Sequence, residues 1–214
     1  MERGARRQIV GVVLAGGLSR RMGGGDKGLE VLGPATLLHE VVRRVRPQVE
    51  MLVLNANGDP ARFAALGLPV VPDTIDGYVG PLAGVLAAMR WASRNAPAAT
   101  HVLSVSNDAP FLPQDLAERL ESALRGGDAR IALARSAGEL HPVIGLWSID
   151  LAGDLEATLR SGARKVRAWA AQHGAVPVDV PLLRAGDQAV DPFFNANTPA
   201  ELAEARRLVE LTRS

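Results

Sequence analysis

The chain has 214 residues, 47% of them hydrophobic and 22% charged, enough apolar material to fill the core of one large domain or two small ones. A formal net charge of +1 leaves no broad electrostatic footprint for nucleic acid or an anionic membrane, so any cationic site must be local. Cysteine is absent, which excludes disulfides, thiolate metal sites and a cysteine nucleophile.

The N-terminal "MERGARRQIV" is basic, but the apolar stretch that follows breaks at Gly16 and Gly17 and carries no small-residue cleavage pattern. It is too short to span a membrane and a poor signal peptide, so the expectation is a soluble cytoplasmic protein. "QIVGVVLAGG" is a short β-branched run ending in glycines and predicts a buried strand. "TLLHEVVRRV" places Leu37, Leu38, Val41, Val42 and Val45 at helical spacing, with Arg43, Arg44 and Arg46 on a solvated face. "EMLVLNAN" predicts a second buried strand and "LPVVPD" a short one. "GPLAGVLAAMRWASRN" predicts a helix with Pro81 in its first turn. "THVLSVSND" is a further strong strand, and Pro113 is expected to open the helix "PQDLAERLESALR".

In the second half, "ARIALARS" and "HPVIGLWS" are strands separated by a short polar turn, the pattern of an antiparallel excursion. "LAGDLEATLRSG" and "ARKVRAWAAQHG" are consecutive helices, each closed by glycine. "AVPVDV" is a late strand, and "TPAELAEARRLVEL" a terminal helix whose Thr198 and Glu201 form a capping box, with Pro199 at the first helical position. Trp91, Trp147 and Trp169 sit in apolar periodic segments and belong to the core. Strands alternating with helices imply a parallel, helix-covered sheet in a single domain over residues 1–214.

The segment Leu14–Gly28, "LAGGLSRRMGGGDKG", holds six glycines around Arg20, Arg21 and Lys27. Glycine at that density means a backbone that bends tightly or approaches something closely, and the cations make that something anionic. The Walker pattern is excluded, because Lys27 is followed by Gly28 and Leu29. Gly23, Gly25 and Gly28 satisfy G-x-G-x-x-G, but Ser19 to Met22 separate them from the strand end where a dinucleotide fingerprint must sit. The remaining reading takes the whole segment as one nucleotide loop, with Leu14, Ala15, Gly16 and Gly17 under base and ribose and Arg21 and Lys27 over a triphosphate.

That segment resembles the L-A-G-G-x-S-x-R-M-G motif of nucleotidyltransferases. "MGGGDKGL", Met22 to Leu29, is similar to the molybdenum cofactor guanylyltransferases, the MobA family. The resemblance runs in order from Val10 to Leu208. It implies a three-layer α/β fold, a mostly parallel Rossmann-like sheet of the nucleotide-diphospho-sugar transferase type with one antiparallel strand. It implies transfer of GMP from GTP to molybdenum-loaded molybdopterin, with pyrophosphate released and no covalent enzyme intermediate. Mg²⁺ is the implied cofactor, and molybdenum-inserting enzymes and recipient molybdoenzymes are implied partners. A cytidylyltransferase on the same pterin, a sugar-phosphate nucleotidyltransferase and a catalytically inactive nucleotide-binding protein are the alternatives.

Residue by residue, the resemblance implies Arg21, Lys27 and Asp108 as the catalytic set. Asp108, in "SVSNDAPFLP" at the end of a buried strand, is the implied metal and nucleotide ligand, and Asn107 stands where relatives often carry Cys or Asp. Asn55 and Asp73, each just beyond a strand, are implied around the bound nucleotide; as isolated residues they are equally well turn formers. The small residues of "GYVGPLAGV" either admit a purine or permit tight helix–sheet packing. Asn195 and Asn197 in "FFNANTP" are implied to hold the metal-binding carboxylate or a phosphate, alongside the reading of a plain helix start. Arg164, Lys165 and Arg167 are similar to a basic stretch that receives the pterin's terminal phosphate, or are a solvated helix face. His141 is a turn histidine before a strand or orients the second substrate; a proton-transfer role is not required, because the attacking phosphate is already ionised.

Overall fold

Alternate residues of the first apolar run face opposite ways, and that two-residue period decides the architecture. Strand β1 (Gln8–Leu14) turns Ile9 and Val13 into one apolar cluster and Val10 and Val12 into another. All four are 6% exposed or less, as a strand covered on both faces requires. The computed structural model describes residues 8–16, 27–75, 77, 80–162 and 165–211, with Lys27 described by its backbone alone.

A small hairpin of β2 (Val31–Leu32) and β3 (Ala35–Thr36) leads into α1 (Leu37–Val45), capped by Thr36 Oγ1 accepting from the His39 N–H. Strand β4 (Met51–Asn55), a 3₁₀ turn over Pro60–Leu66 and β5 (Val70–Val71) follow. Next come α2 (Pro81–Asn95), β6 (Ala99–Ser106) and α3 (Leu116–Leu124). Strands β7 (Ile131–Ser136) and β8 (Glu139–Ser148) form a hairpin, followed by α4 (Ala152–Arg160) and α5 (Val166–Gln172). The chain closes with β9 (Val176–Asp179), the hairpin β10 (Leu183–Ala185) and β11 (Gln188–Val190), and α6 (Pro199–Leu211).

Seven strands form the main sheet in the order β5-β4-β1-β6-β8-β7-β9. Every neighbouring pair is parallel except those of β8, which runs antiparallel to both β6 and β7. Helices α1 and α3 cover one face through Leu38, Val41, Leu116 and Leu120. Helices α2, α4 and α5 cover the other through Leu86, Met89, Leu155 and Trp169. Each such buried side chain contributes about 1.5–3 kcal/mol by leaving water. Trp147 is wholly buried, and its indole N–H donates to Ser104 Oγ at 2.7 Å, which itself donates to the Val143 carbonyl at 2.7 Å. No buried polar atom of that pair is left unpaired, so the large ring is accommodated without a desolvation penalty. The three-layer α/β arrangement with one antiparallel strand matches the expectation.

Several local expectations are corrected. The helix expected from Pro113 begins at Leu116, because Asp115 is not helical (φ −117°, ψ 16°). His141 lies within β8 and not in a turn before it, since the strand already starts at Glu139. Arg44 is not on a solvated face: its Nη1 donates to the Leu112 carbonyl at 3.1 Å, and burial, reinforced by Arg43, lowers its pKa against the pull of Glu40. Arg43 turns outward to pair with Glu40 at 2.8 Å. Trp91 is only partly buried, while Trp147 and Trp169 are core. Half of the capping box is present: Glu201 N–H donates to Thr198 Oγ1 at 3.2 Å, but Glu201 Oε2 accepts from the Asn197 N–H at 2.8 Å, one residue before Thr198.

A third apolar cluster joins α6 and the β10–β11 hairpin to Leu32, Leu37 and Phe111. It has a positional consequence. The segment before α6 is drawn across the carboxyl end of β6, where Ala196 N–H donates to the Asp108 carbonyl at 3.1 Å.

Candidate active site

Strand register brings the expected residues to one edge. Leu14 pairs with both Asn55 and Ser106, and Asn55 pairs with Val71, so β1, β4, β5 and β6 all end there. In open parallel sheets that carboxyl edge is where ligands bind. The backbone continues the pairing one step further, with Ala15 N–H donating to the Asn55 carbonyl at 2.8 Å and Asn107 N–H to the Leu14 carbonyl at 3.3 Å.

Asn55 and Asp73 meet directly. The Asn55 side-chain amide, 4% exposed, donates to the Val71 carbonyl at 3.1 Å and to Asp73 Oδ1 at 2.9 Å. Both of its N–H bonds are thereby used, and the carbonyl Oδ1 is the group left to act. Asn57, which the sequence reading did not single out, donates to Asp73 Oδ2 at 2.8 Å and accepts from the Asp73 N–H at 2.9 Å. A clasp of three side chains thus fixes the loop ends of β4 and β5. The repeated Asn in "LNAN" was the available signal, because residues two apart in extended chain lie on the same side and both here reach Asp73.

Gly84, in the first turns of α2, packs onto this clasp. A Cβ there would stand 2.2 Å from Asn55 Oδ1 and 2.7 Å from Leu14 Cδ2. Of the two readings of "GPLAG", tight helix–sheet packing is therefore present at Gly84. The helix opens with Gly80 at φ 84° and Pro81 at its first position. Gly16 faces the same amide, its ideal Cβ 3.6 Å from Asn55 Oδ1. Leu14, Ala15, Gly16, Asn55 and Asp73 form one contiguous group.

Asp108 stands at the end of β6, 9% exposed, and Ser106 Oγ donates to its Oδ1. Ser106 was also missed, although a hydroxyl two residues before a carboxylate at a strand end is a recognisable local pairing. A carboxylate has about four lone-pair sites, so Asp108 can be oriented by Ser106 and serve as a cation ligand as well. Among the described residues no group of three or more His, Cys, Asp or Glu could cage a metal. That donor set fits Mg²⁺, which is commonly held by one or two carboxylates together with substrate phosphates.

The far end of the glycine-rich loop returns to this point. Gly28 is buried, and a Cβ on it would lie 3.1 Å from Asn107 Nδ2 and 3.2 Å from Leu38 Cβ. The Lys27 backbone is therefore adjacent to the Asp108 turn. Gly17, Arg20 and Arg21 lie outside the described residues, as does Arg164. Asn195 and Asn197 flank Ala196, whose bond to the Asp108 carbonyl brings their segment to the Asp108 backbone; both side chains are exposed. Lys165 is exposed at the start of α5, and Arg167 Nη2 donates to the Leu140 carbonyl at 2.8 Å, docking that helix against β8. His141 is at the same edge, with its pKa lowered chiefly by burial, raised back in part by Asp191 and Glu139 and lowered further by Arg167.

The chain matches a family model described as MobA-like NTP transferase domain over residues 11–178. A molybdenum cofactor guanylyltransferase from Bradyrhizobium sp. (strain ORS 278) is 52% identical over 204 residues, covering 95% of this chain and 94% of that protein. The crystal structure of molybdopterin-guanine dinucleotide biosynthesis protein A from Archaeoglobus fulgidus is similar with a TM-score of 0.71 and 25% identity, over 95% of this chain and 99% of that one. A Mycobacterium tuberculosis protein solved in complex with manganese shares the fold at a TM-score of 0.63 and 21% identity, over 96% and 100% of the two chains.

Proposed function

This chain belongs to the MobA-like NTP transferase family, and we propose that it transfers GMP from GTP to molybdenum-loaded molybdopterin, releasing pyrophosphate. The observation that carries this reading is the 52% identity to a molybdenum cofactor guanylyltransferase across nearly the whole of both chains. One domain over residues 1–214 serves both substrates. No described helix is long and apolar enough to cross a membrane. We place the reaction in the cytoplasm, between molybdenum-inserting enzymes and recipient molybdoenzymes.

The nucleotide lies over Leu14, Ala15, Gly16 and Gly17, with the Asn55–Asp73 clasp beside its base and ribose. Guanine offers N–H donors on one edge, and Asn55 Oδ1 and the Asp73 carboxylate are acceptors of matching character. The terminal phosphate oxygen of molybdopterin attacks the α-phosphorus of GTP. A P–O bond forms there as the bond to the β-phosphate's bridging oxygen breaks, and pyrophosphate leaves with the electron pair. Arg21 and Lys27 hold the departing phosphates, Arg through a planar fork and Lys as a compact charge. Asp108 anchors the divalent cation, and Ser106 and the Ala196 N–H orient Asp108. A divalent cation held there would offset phosphate charge and so ease the approach of an anion. Asn195 and Asn197 support the acceptor side, and Lys165 and Arg164 serve the pterin phosphate.

No proton has to move for this step, so positioning and preorganised charge supply the acceleration. Lys27→Ala should lower the rate of dinucleotide formation by about 10²–10³-fold, the cost of removing one preorganised donor to a developing anion. Single-turnover assays with GTP, Mg²⁺ and molybdenum-loaded molybdopterin measure this directly. A variant that turns over at the wild-type rate would remove Lys27 from the mechanism.

A further inference from the structure

Beside the nucleotide half of the edge, three segments converge on one buried hydroxyl. Ser136 Oγ, at the end of β7 and 1% exposed, lies 2.7 Å from His141 Nε2 and 2.7 Å from Asp191 Oδ1. Asp191 Oδ1 also accepts from the Phe193 N–H at 2.8 Å, and the Phe193 ring packs on His141 with 4.6 Å between centroids. This is not a hydrolase triad, because the serine sits between histidine and carboxylate and its proton points to Asp191.

The proton count fixes the histidine. A hydroxyl has one proton, and Ser136 gives it to Asp191, so the Ser136 oxygen accepts from His141. His141 Nε2 therefore carries the hydrogen, and in the neutral ring Nδ1 is a bare acceptor. Nδ1 has no protein partner among the described residues. Buried, unpaired side-chain nitrogens there are confined to Arg44 and Arg119, so Nδ1 reaches solvent. The ring is also close to the chemistry: Phe193, packed on it at a tilt, is three residues from Ala196, which bonds to Asp108. Three residues span at most about 10 Å.

We propose that His141 is the specificity-determining contact for the acceptor substrate, its Nδ1 taking a hydrogen bond from an N–H of the pterin ring system. This inference rests on the function proposed above. Ser136 and Asp191 are positioning residues that hold the ring in the Nε2–H form. An unprotonated nitrogen repels phosphate oxygens, so the phosphate end of the acceptor is left to the cations of the α5 region. The charged groups facing the ring are Asp191, Glu139 on β8 and Arg167 on α5; with burial as the largest influence, the ring stays neutral at neutral pH.

Two near-isosteric variants separate binding from structure. His141→Gln keeps an N–H for Ser136 but loses the Nδ1 acceptor, whereas His141→Asn keeps an oxygen near Nδ1 and gives up Ser136. Equilibrium binding of molybdopterin, binding of GTP and Tm are measured for both and for wild type. Loss of the acceptor in His141→Gln should weaken molybdopterin binding by about five- to tenfold, the worth of one hydrogen bond, with GTP binding and Tm unchanged. His141→Asn should retain most of the affinity. Protonating the ring removes the acceptor, so as the pH falls wild type should lose affinity more steeply than His141→Asn, and at a pH below the ordinary imidazole range because burial lowers the ring's pKa. Wild-type affinity in His141→Gln, or equal losses in both variants, would overturn the proposal while leaving the transferase reading intact. A wild-type protein that binds GTP but not molybdopterin would overturn both.

Discussion

Gly84→Ala should destabilise the protein and weaken GTP binding together, although it adds only one methyl group on a helix. Alanine is the better helix former, and by propensity alone the change would stabilise α2 by up to about 1 kcal/mol. Packing decides otherwise. The new Cβ would stand 2.2 Å from Asn55 Oδ1 and 2.7 Å from Leu14 Cδ2, distances at which something must move. If Asn55 moves, its bonds to the Val71 carbonyl and Asp73 Oδ1 are lost in a site where water replaces them poorly. Overpacking and an unsatisfied buried amide together cost about 2–6 kcal/mol. For a chain of this size that is a Tm lower by about 5 °C or more. Because the same amide borders Gly16 and holds Asp73, GTP affinity should fall at least about tenfold. Thermal melting and GTP titration read the two effects, and wild-type values for both would show that α2 is not seated on the clasp.

Asp108→Asn should abolish turnover while leaving the fold intact. The substitution preserves shape and retains an oxygen to accept from Ser106 Oγ, and the Ala196 bond to the residue-108 carbonyl is a backbone contact. What disappears is the charge that anchors a divalent cation. Lewis-acid stabilisation of phosphate charge is worth several kcal/mol, so the rate should drop about 10³-fold or more. Tm in the absence of Mg²⁺ should change little, and the rise in Tm that Mg²⁺ with GTP gives the wild type should be lost. An Asp108→Asn protein that keeps both its rate and its Mg²⁺-dependent stabilisation would place the metal elsewhere.

Most of the architecture was legible because parallel strands buried on both faces must be continuous apolar runs, as "QIVGVVL" and "THVLSVS" are. The two small hairpins were not. Strands β2 and β3 have two residues each, and β10 and β11 three, too short for any period to register. The start of α3 was misplaced because Pro113 suits a first helical turn, yet its carbonyl is taken by Gln48 Nε2 from 65 residues away. Arg44 was assigned to solvent because helical spacing shows only which face is apolar. It does not show that the Leu112 carbonyl lies against the polar face.

The same limit governs the site. Residues at strand ends, such as Asn55, Asp73 and Asp108, were identifiable, since strand ends are where sequence position and sheet edge coincide. The partners that orient them were not, except where they are near in sequence, as Ser106 is to Asp108. Ser136 and Asp191 are 55 residues apart, and Asn57 and Asp73 are 16 apart; only the folded chain brings each pair together. Chemistry-bearing residue types are therefore visible in the chain before folding, and the hydrogen bonds that aim them are visible after it.

Base choice is the central claim, and pyrophosphate release from GTP, CTP and ATP in separate reactions tests it most directly. Each reaction contains Mg²⁺ and molybdenum-loaded molybdopterin, with a parallel reaction lacking the pterin. Release from GTP alone, dependent on the pterin, is the predicted result. Release from CTP in its place would contradict the guanine assignment, and no release from any of the three would contradict the transferase itself.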